Sequence, residues 1–259
     1  MLTFDHPRDD RKTRKGRTII MDFGPDYLGW TGTRGLADLL EAAGNFIDTA
    51  KIWVLNAVML PDDYLKEAIR LYRDHDIEVF AGGLLFEYAY LKSDVDGLIE
   101  RLDYLGLPGI EISENYATLD DNERLDFIER FSKVGLMPVV EFGRKHPDTP
   151  MDLGEFETAV KRVAGAGAHH VIVEQGEFDL LEKERPADVE ALRQADWFDQ
   201  IYIEVDSDRF PGPHIDLIKR FGPTVNLANV APGHVIRLEA FRRGLGRPLD
   251  YPFFKEMLG

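Results

Sequence analysis

Apolar residues recur along this chain in two alternating rhythms. Short continuous runs, such as Ile19-Ile20-Met21 and Val171-Ile172-Val173, are followed by stretches in which apolar positions return every three or four residues. The first rhythm marks buried strands of a parallel sheet and the second marks amphipathic helices. The pattern predicts strands over 18–24, 47–55, 77–81, 109–113, 139–147 (a buried strand running into a charged loop), 169–174, 200–205 and 224–230. Helices are predicted over 33–43, 61–75, 85–106 with a break near Ser93, 119–135, 152–166, 187–195, 213–221 and 233–245, while 176–186 reads as an irregular acidic segment. Glycines at the expected stops (Gly44, Gly82-Gly83, Gly222) punctuate the units.

Regular strand-helix alternation implies an α/β fold with a parallel sheet. Eight such units without a dividing linker point to a single (β/α)8 TIM barrel over 17–259. No glycine-rich dinucleotide fingerprint follows the first strand, which counts against an open doubly wound sheet. Residues 1–16 read as a polar, solvated N-terminal arm open to disorder.

Composition narrows the class. The chain of 259 residues has no cysteine, hence no disulfide, thiol nucleophile or Cys-based zinc site. Its net charge of −16 opposes nonspecific nucleic-acid binding, which needs cations to displace counterions. The basic run Arg11-Lys12-Thr13-Arg14-Lys15 belongs to the solvated arm. No apolar run approaches the ~20 residues of a membrane span, and the N-terminus lacks an apolar signal core. A cytoplasmic protein with no nucleic acid and no membrane as partner is the expectation.

In a barrel of this kind the chemistry sits at the C-terminal ends of the strands. Those ends carry Asp22, Lys51, Glu87, Glu111 with Ser113, Glu141 with Arg144 and Lys145, Glu174, Glu204 with Asp206, and Asn226 with Asn229. So many acids around one mouth repel; charges ~4 Å apart cost about 4 kcal/mol at an effective dielectric of about 20. Either several are protonated or cations offset them, from Lys51, Arg144, Lys145 or a divalent metal, and oxygen-only ligands suit Mg2+. Any single acid in the set has a blander role open to it, pairing with a lysine or capping the next helix. Lys51 lies inside an apolar strand and is expected to point into the barrel towards an acid, as catalyst or as counter-ion. His169 and His170 open the sixth strand, the wrong end for catalysis, and read as structural. His146 reads as a surface residue, and His75, His214 and His234 as exposed. Met59, Trp30 and Trp53 could touch a ligand, with core or loop packing as the plainer reading. No metal-binding histidine spacing, G-x-S-x-G elbow or P-loop is present.

Several motifs resemble the phosphosulfolactate synthases: Gly82-Gly83-Leu-Leu-Phe86-Glu87-Tyr88-Ala89, Glu111-Ile-Ser113, Glu141-Phe-Gly143-Arg-Lys145, Val225-Asn226-Leu-Ala-Asn229 and Leu238-Glu239-Ala-Phe-Arg242-Arg243-Gly244-Leu245. They keep their order over nearly the whole chain. The resemblance implies a (β/α)8 barrel, a homo-oligomer, a small anionic substrate, and Mg2+-dependent addition of sulfite to phosphoenolpyruvate, an early step towards coenzyme M. It makes Lys145 the general acid and aligns Glu111, Glu141, Glu174 and Glu204 with the family's strand-end carboxylates. On this footing the catalytic residues are Lys145, Lys51 and Glu141. The metal-side acids are Glu111, Glu141, Glu174, Glu204 and Asp22. The substrate contacts are Arg144, Ser113, Asn226, Asn229, Asn56 and Gln175.

Three corners depart from the family pattern. Phe23 stands where a lysine usually follows the first-strand Asp. Lys51-Ile-Trp53-Val-Leu-Asn56-Ala57 replaces a Gly-Trp-Gly-Thr-Ser loop, and Gln175-Gly176-Glu177-Phe178 replaces an arginine-bearing segment. Each change removes a cation or a flexible polar loop. Two alternatives therefore stand beside the family reaction: a lyase, aldolase or isomerase working through an enolate on a less anionic substrate, and a noncatalytic binding protein.

Overall fold

The computed structural model describes Arg8 and residues 15–25, 32–144 and 146–258. Its centre is a closed parallel barrel in which each strand pairs with the next and the eighth returns to the first. The strands are β1 (Thr18–Asp22), β2 (Thr49–Ile52), β3 (Glu78–Ala81), β4 (Gly109–Ile112), β5 (Met137–Phe142), β6 (His170–Val173), β7 (Ile201–Glu204) and β8 (Leu227–Val230). Around them run α1 (Thr33–Ala43), α2 (Asn56–Met59), α3 (Asp62–Asp74), α4 (Gly83–Leu91), α5 (Val95–Leu105) and α6 (Asp121–Lys133). The second half adds α7 (Leu153–Gly165), α8 (Gln175–Glu184), α9 (Pro186–Gln194), α10 (Gly212–Phe221), α11 (Val235–Arg242) and α12 (Pro252–Leu258).

Strand side chains alternate between lumen and helix layer. Ile19, Phe80, Val139, Ile172, Tyr202 and Ala228 meet in one buried cluster although they come from six strands, which is only possible inside the barrel. They form the middle storey of the lumen. Two residues further on, the columns of β5, β6 and β7 carry Glu141, Glu174 and Glu204 at the C-terminal mouth, where Lys51 of β2 and Glu111 of β4 join them. Two residues earlier, β3 carries Glu78 and β6 carries His170 at the opposite mouth. The intervening strand positions face outward into the larger core between strands and helices, built from residues such as Leu65, Ile69 and Tyr72 of α3 and Ile128 and Phe131 of α6. Each such Leu, Ile or Phe removed from water contributes about 1.5–3 kcal/mol.

Local chemistry sets the helix ends. Asp120 and Glu123 form a reciprocal capping box at the start of α6, and Asp94 and Asp152 cap α5 and α7. The break foreseen near Ser93 separates α4 from α5, and Ser93 takes a left-handed φ of 55° there. Two expectations are corrected. The segment read as irregular and acidic is the helix α8, held down because Phe178 and Leu181, three residues apart, are both fully buried. His214 is fully buried, not exposed; it shares the inner face of α10 with Leu217, Ile218 and Phe221. Of the N-terminal arm, Arg8 reaches the α11 carboxylate of Glu239 at 2.9 Å. No helix among the described residues is long and apolar enough to cross a membrane.

Candidate active site

At the C-terminal mouth, one buried ammonium faces several carboxylates. Lys51 Nζ lies 2.8 Å from Glu111, 3.5 Å from Glu141 and 4.0 Å from Glu204. Glu111 is locked from its other side, because the amide of Gly83 donates to its Oε2 at 2.7 Å. That approach requires glycine: a Cβ at Gly83 would come within 2.3 Å of Ser113 Oγ. Burial alone would push the Lys51 ammonium down, but Glu111, Glu141 and Glu204 outweigh it and hold it far above the ordinary lysine range. Burial pushes Glu111 above the ordinary carboxylate range; Lys51 opposes the shift, and Glu141 and Glu204 add to it.

Glu141, Glu174 and Glu204 place one carboxylate oxygen each within 4.8 Å of the others. Three strands supply them, each at the position where its inward column reaches the mouth. Hard oxygen donors at this separation suit a divalent cation such as Mg2+. Without one, like charges crowd a site whose described lining holds no cation other than Lys51.

The mouth encloses a cavity of about 230 Å3, rimmed by Trp53 and Tyr116 and floored by Met21. Asn229 enters this lining from an outward position of β8 because its backbone turns left-handed, at φ 60°. Its Oδ1 is buried without a hydrogen-bond partner among the described residues. A strained asparagine with an unanswered acceptor is suited to a ligand's donor. Asn115, which the sequence reading did not single out, donates to Glu141 Oε1 at 3.3 Å. It is held there by Glu87, which also accepts from Ser113 Oγ and from the amides of Asn115, Tyr116 and Ala117. Although burial works the other way, these donors hold the Glu87 carboxyl below its usual range. Glu87 thus shapes the loop after β4. The only sequence signal for Asn115 was its place two residues beyond Ser113.

The other residues expected at the site are distributed as follows. Ser113 lines the cavity with its hydroxyl committed to Glu87. Asp22 faces away from the lumen: it accepts from Tyr72 Oη of α3 at 2.7 Å and from the Gly24 amide at 2.7 Å. Met21, one residue earlier, holds the inward position, so Asp22 stands apart from the three converging glutamates. Asn226 sits at the opposite mouth, where it accepts from the Arg17 amide and donates to the carbonyls of Asp199 and Ile201. Asn56 ties the loops after β1 and β2 by donating to Phe23 O at 3.1 Å. Gln175 opens α8 and leans towards Asp179. Arg144 is exposed in an adjoining cleft of about 750 Å3, its backbone amide bound by Glu177 at 2.9 Å. Lys145 lies outside the described residues.

The model of the (2R)-phospho-3-sulfolactate synthase (ComA) family matches residues 6–247. The chain belongs to this family. A phosphosulfolactate synthase of Methanocaldococcus jannaschii is 31% identical over 244 residues, covering 90% of this chain and 92% of that one. Its counterpart in Bacillus subtilis is 28% identical over 246 residues, covering 92% and 93%. Among solved structures, a dihydrodipicolinate synthase from Agrobacterium tumefaciens aligns with a TM-score of 0.53 at 14% identity, covering 95% of this chain and 85% of that one. That likeness is one of fold alone. Family membership makes the chain a phosphosulfolactate synthase-like lyase. The rings of Phe23 and Trp53 pack with centroids 5.6 Å apart where the loops after β1 and β2 meet, and Trp53 lines the cavity.

Proposed function

We propose that this lyase adds sulfite, or a related nucleophile, to the methylene carbon of phosphoenolpyruvate with the help of Mg2+. The observation that carries the reading is the convergence of Glu141, Glu174 and Glu204 beside the Lys51–Glu111 pair in a member of this family. The sulfite sulfur supplies the electron pair for the new carbon–sulfur bond. The π electrons of the enol move towards the substrate carboxylate, and a proton then returns to the phosphate-bearing carbon. A divalent cation held by Glu141, Glu174 and Glu204 would supply the positive charge that the developing aci-anion needs. Lys51 is paired with Glu111 at 2.8 Å and with Glu141 at 3.5 Å. Its part is to keep Glu111 and Glu141 in place and to add positive charge at the cavity floor. The proton donor is assigned to Lys145, following the family motif. Asn229 and Asn115 orient the substrate.

A second reading rests on Trp53, which lines the cavity with Phe23 packed behind it, and on Lys51 being the only cation among the described lining residues. Both favour a substrate with less negative charge, handled through an enolate. One assay separates the two. The protein is incubated with Mg2+, phosphoenolpyruvate and sulfite, and the sulfonated product is sought by mass spectrometry. Product that disappears in Lys145→Ala supports the first reading; a folded protein giving none above background overturns it and favours the second.

A further inference from the structure

The closed end of the lumen holds a second convergence of ligand groups, outside the mouth where the chemistry takes place. His169 Nε2 lies 3.0 Å from Glu78 Oε1, and His170 Nε2 lies 3.1 Å from Glu78 Oε2. Consecutive residues of a strand normally diverge to opposite faces. Here the chain enters β6 so that both imidazoles meet one carboxylate, which β3 sends across the bottom of the barrel. The three ligand atoms all lie within 4.8 Å of one another. In a tetrahedral site with metal–ligand bonds of about 2.0–2.2 Å, neighbouring donors stand roughly 3.3 Å apart. The present spacing reaches that with small shifts.

We propose that Glu78, His169 and His170 form a binding site for a borderline transition cation, Zn2+ or Co2+, that braces β3 to β6. Imidazole nitrogen with one carboxylate is the donor set such ions favour, whereas Mg2+ favours oxygen alone. His170 is buried and oriented, with Thr49 Oγ1 3.5 Å from the same nitrogen and Tyr202 edge-on to its ring. His169 and Glu78 are about half exposed, leaving room for water ligands. Two clefts, of about 470 and 690 Å3, both reach His169 and give the ion a path. The nearby Arg17 opposes a cation, and Asp48 offsets it.

The test uses the full chain, stripped with chelator and kept in excess Mg2+ to occupy the mouth. Zn2+ is titrated calorimetrically, and Co2+ is followed by its visible d–d absorption. The expected result is one site per chain, with a rise in melting temperature on Zn2+ addition. In His169→Ala and in Glu78→Gln the affinity falls at least tenfold and the melting shift is lost, while Glu174→Gln keeps both. Circular dichroism of each variant without metal checks that the fold is retained. Absence of binding at 100 μM Zn2+ overturns the proposal. So does binding that survives in both His169→Ala and Glu78→Gln, or that disappears in Glu174→Gln.

Discussion

The two ends of the barrel lumen share the inward column of β6 and differ in almost every other respect. On β6 the column starts at His170, passes Ile172 and ends at Glu174. At the C-terminal mouth the ligand atoms are all carboxylate oxygens, gathered around a buried lysine. At the opposite mouth a single carboxylate is met by two imidazoles. Glu111 and Lys51 are both almost fully buried, whereas Glu78 and His169 are about half exposed. The same pleat therefore delivers two clusters with different donor atoms and different energetic stakes. Charges shut in at the mouth are costly to separate, and charges that share water at the other end are cheap.

Removing the ammonium strikes hardest at that contrast. Lys51→Met strands Glu111 beside Glu141 and is expected to cost about 3–5 kcal/mol of stability, read from urea unfolding. Adding Glu111→Leu should recover much of the loss; a single variant as stable as the parent would show that the pair is not structurally coupled. A smaller effect is expected from Glu174→Gln. Mg2+ affinity and turnover should drop by about ten- to a hundredfold while stability holds or rises, since a like charge has gone from the mouth. Unchanged Mg2+ affinity would take Glu174 out of the proposed ligand set.

A third measurement separates the lumen from the helix layer. Burial, reinforced by His234 and Arg242, pushes the His214 imidazole down to about 3. Above the ordinary histidine value of about 6.5 the group has no effect. Below it the unfolded chain takes up a proton that the folded chain refuses, so stability falls by about 1.4 kcal/mol per pH unit until the folded value is reached. His214→Leu should flatten the stability profile between pH 6.5 and 4.5. A profile parallel to the parent's would assign the acid sensitivity elsewhere. The smallest effect belongs to His169→Ala in chelator, below about 1 kcal/mol, because the half-exposed pair with Glu78 is screened by water. A much larger loss would mean that this end carries load even without metal.

The legible part of the fold was its periodicity. Apolar runs and amphipathic stretches located the strand-helix units, and the acids at the strand ends marked the mouth. Parity was harder to read. Asp22 ends its strand as Glu204 does, yet it occupies an outward position and bonds to Tyr72. Deciding between Asp22 and Met21 needed the register of β1 against β2, a long-range quantity. Asn226 and Asn229 belong to one short motif but lie at opposite ends of the lumen, and the left-handed φ of Asn229 is what turns it inward. The burial of His214 did have a signal, its helical spacing to Leu217, Ile218 and Phe221.

By itself the sequence determined the alternation of strand and helix, the barrel class, the acidic mouth and the family, because these rest on local periodicity and on motifs that stay in order along the chain. Tertiary structure decided which acids converge, that Lys51 pairs with Glu111 and Glu141, that Asn115 reaches Glu141, and that two histidines meet a glutamate from the far side of the barrel. Those facts depend on closure of the sheet. Closure brings within a few ångströms groups whose separation along the chain carries no trace of the meeting.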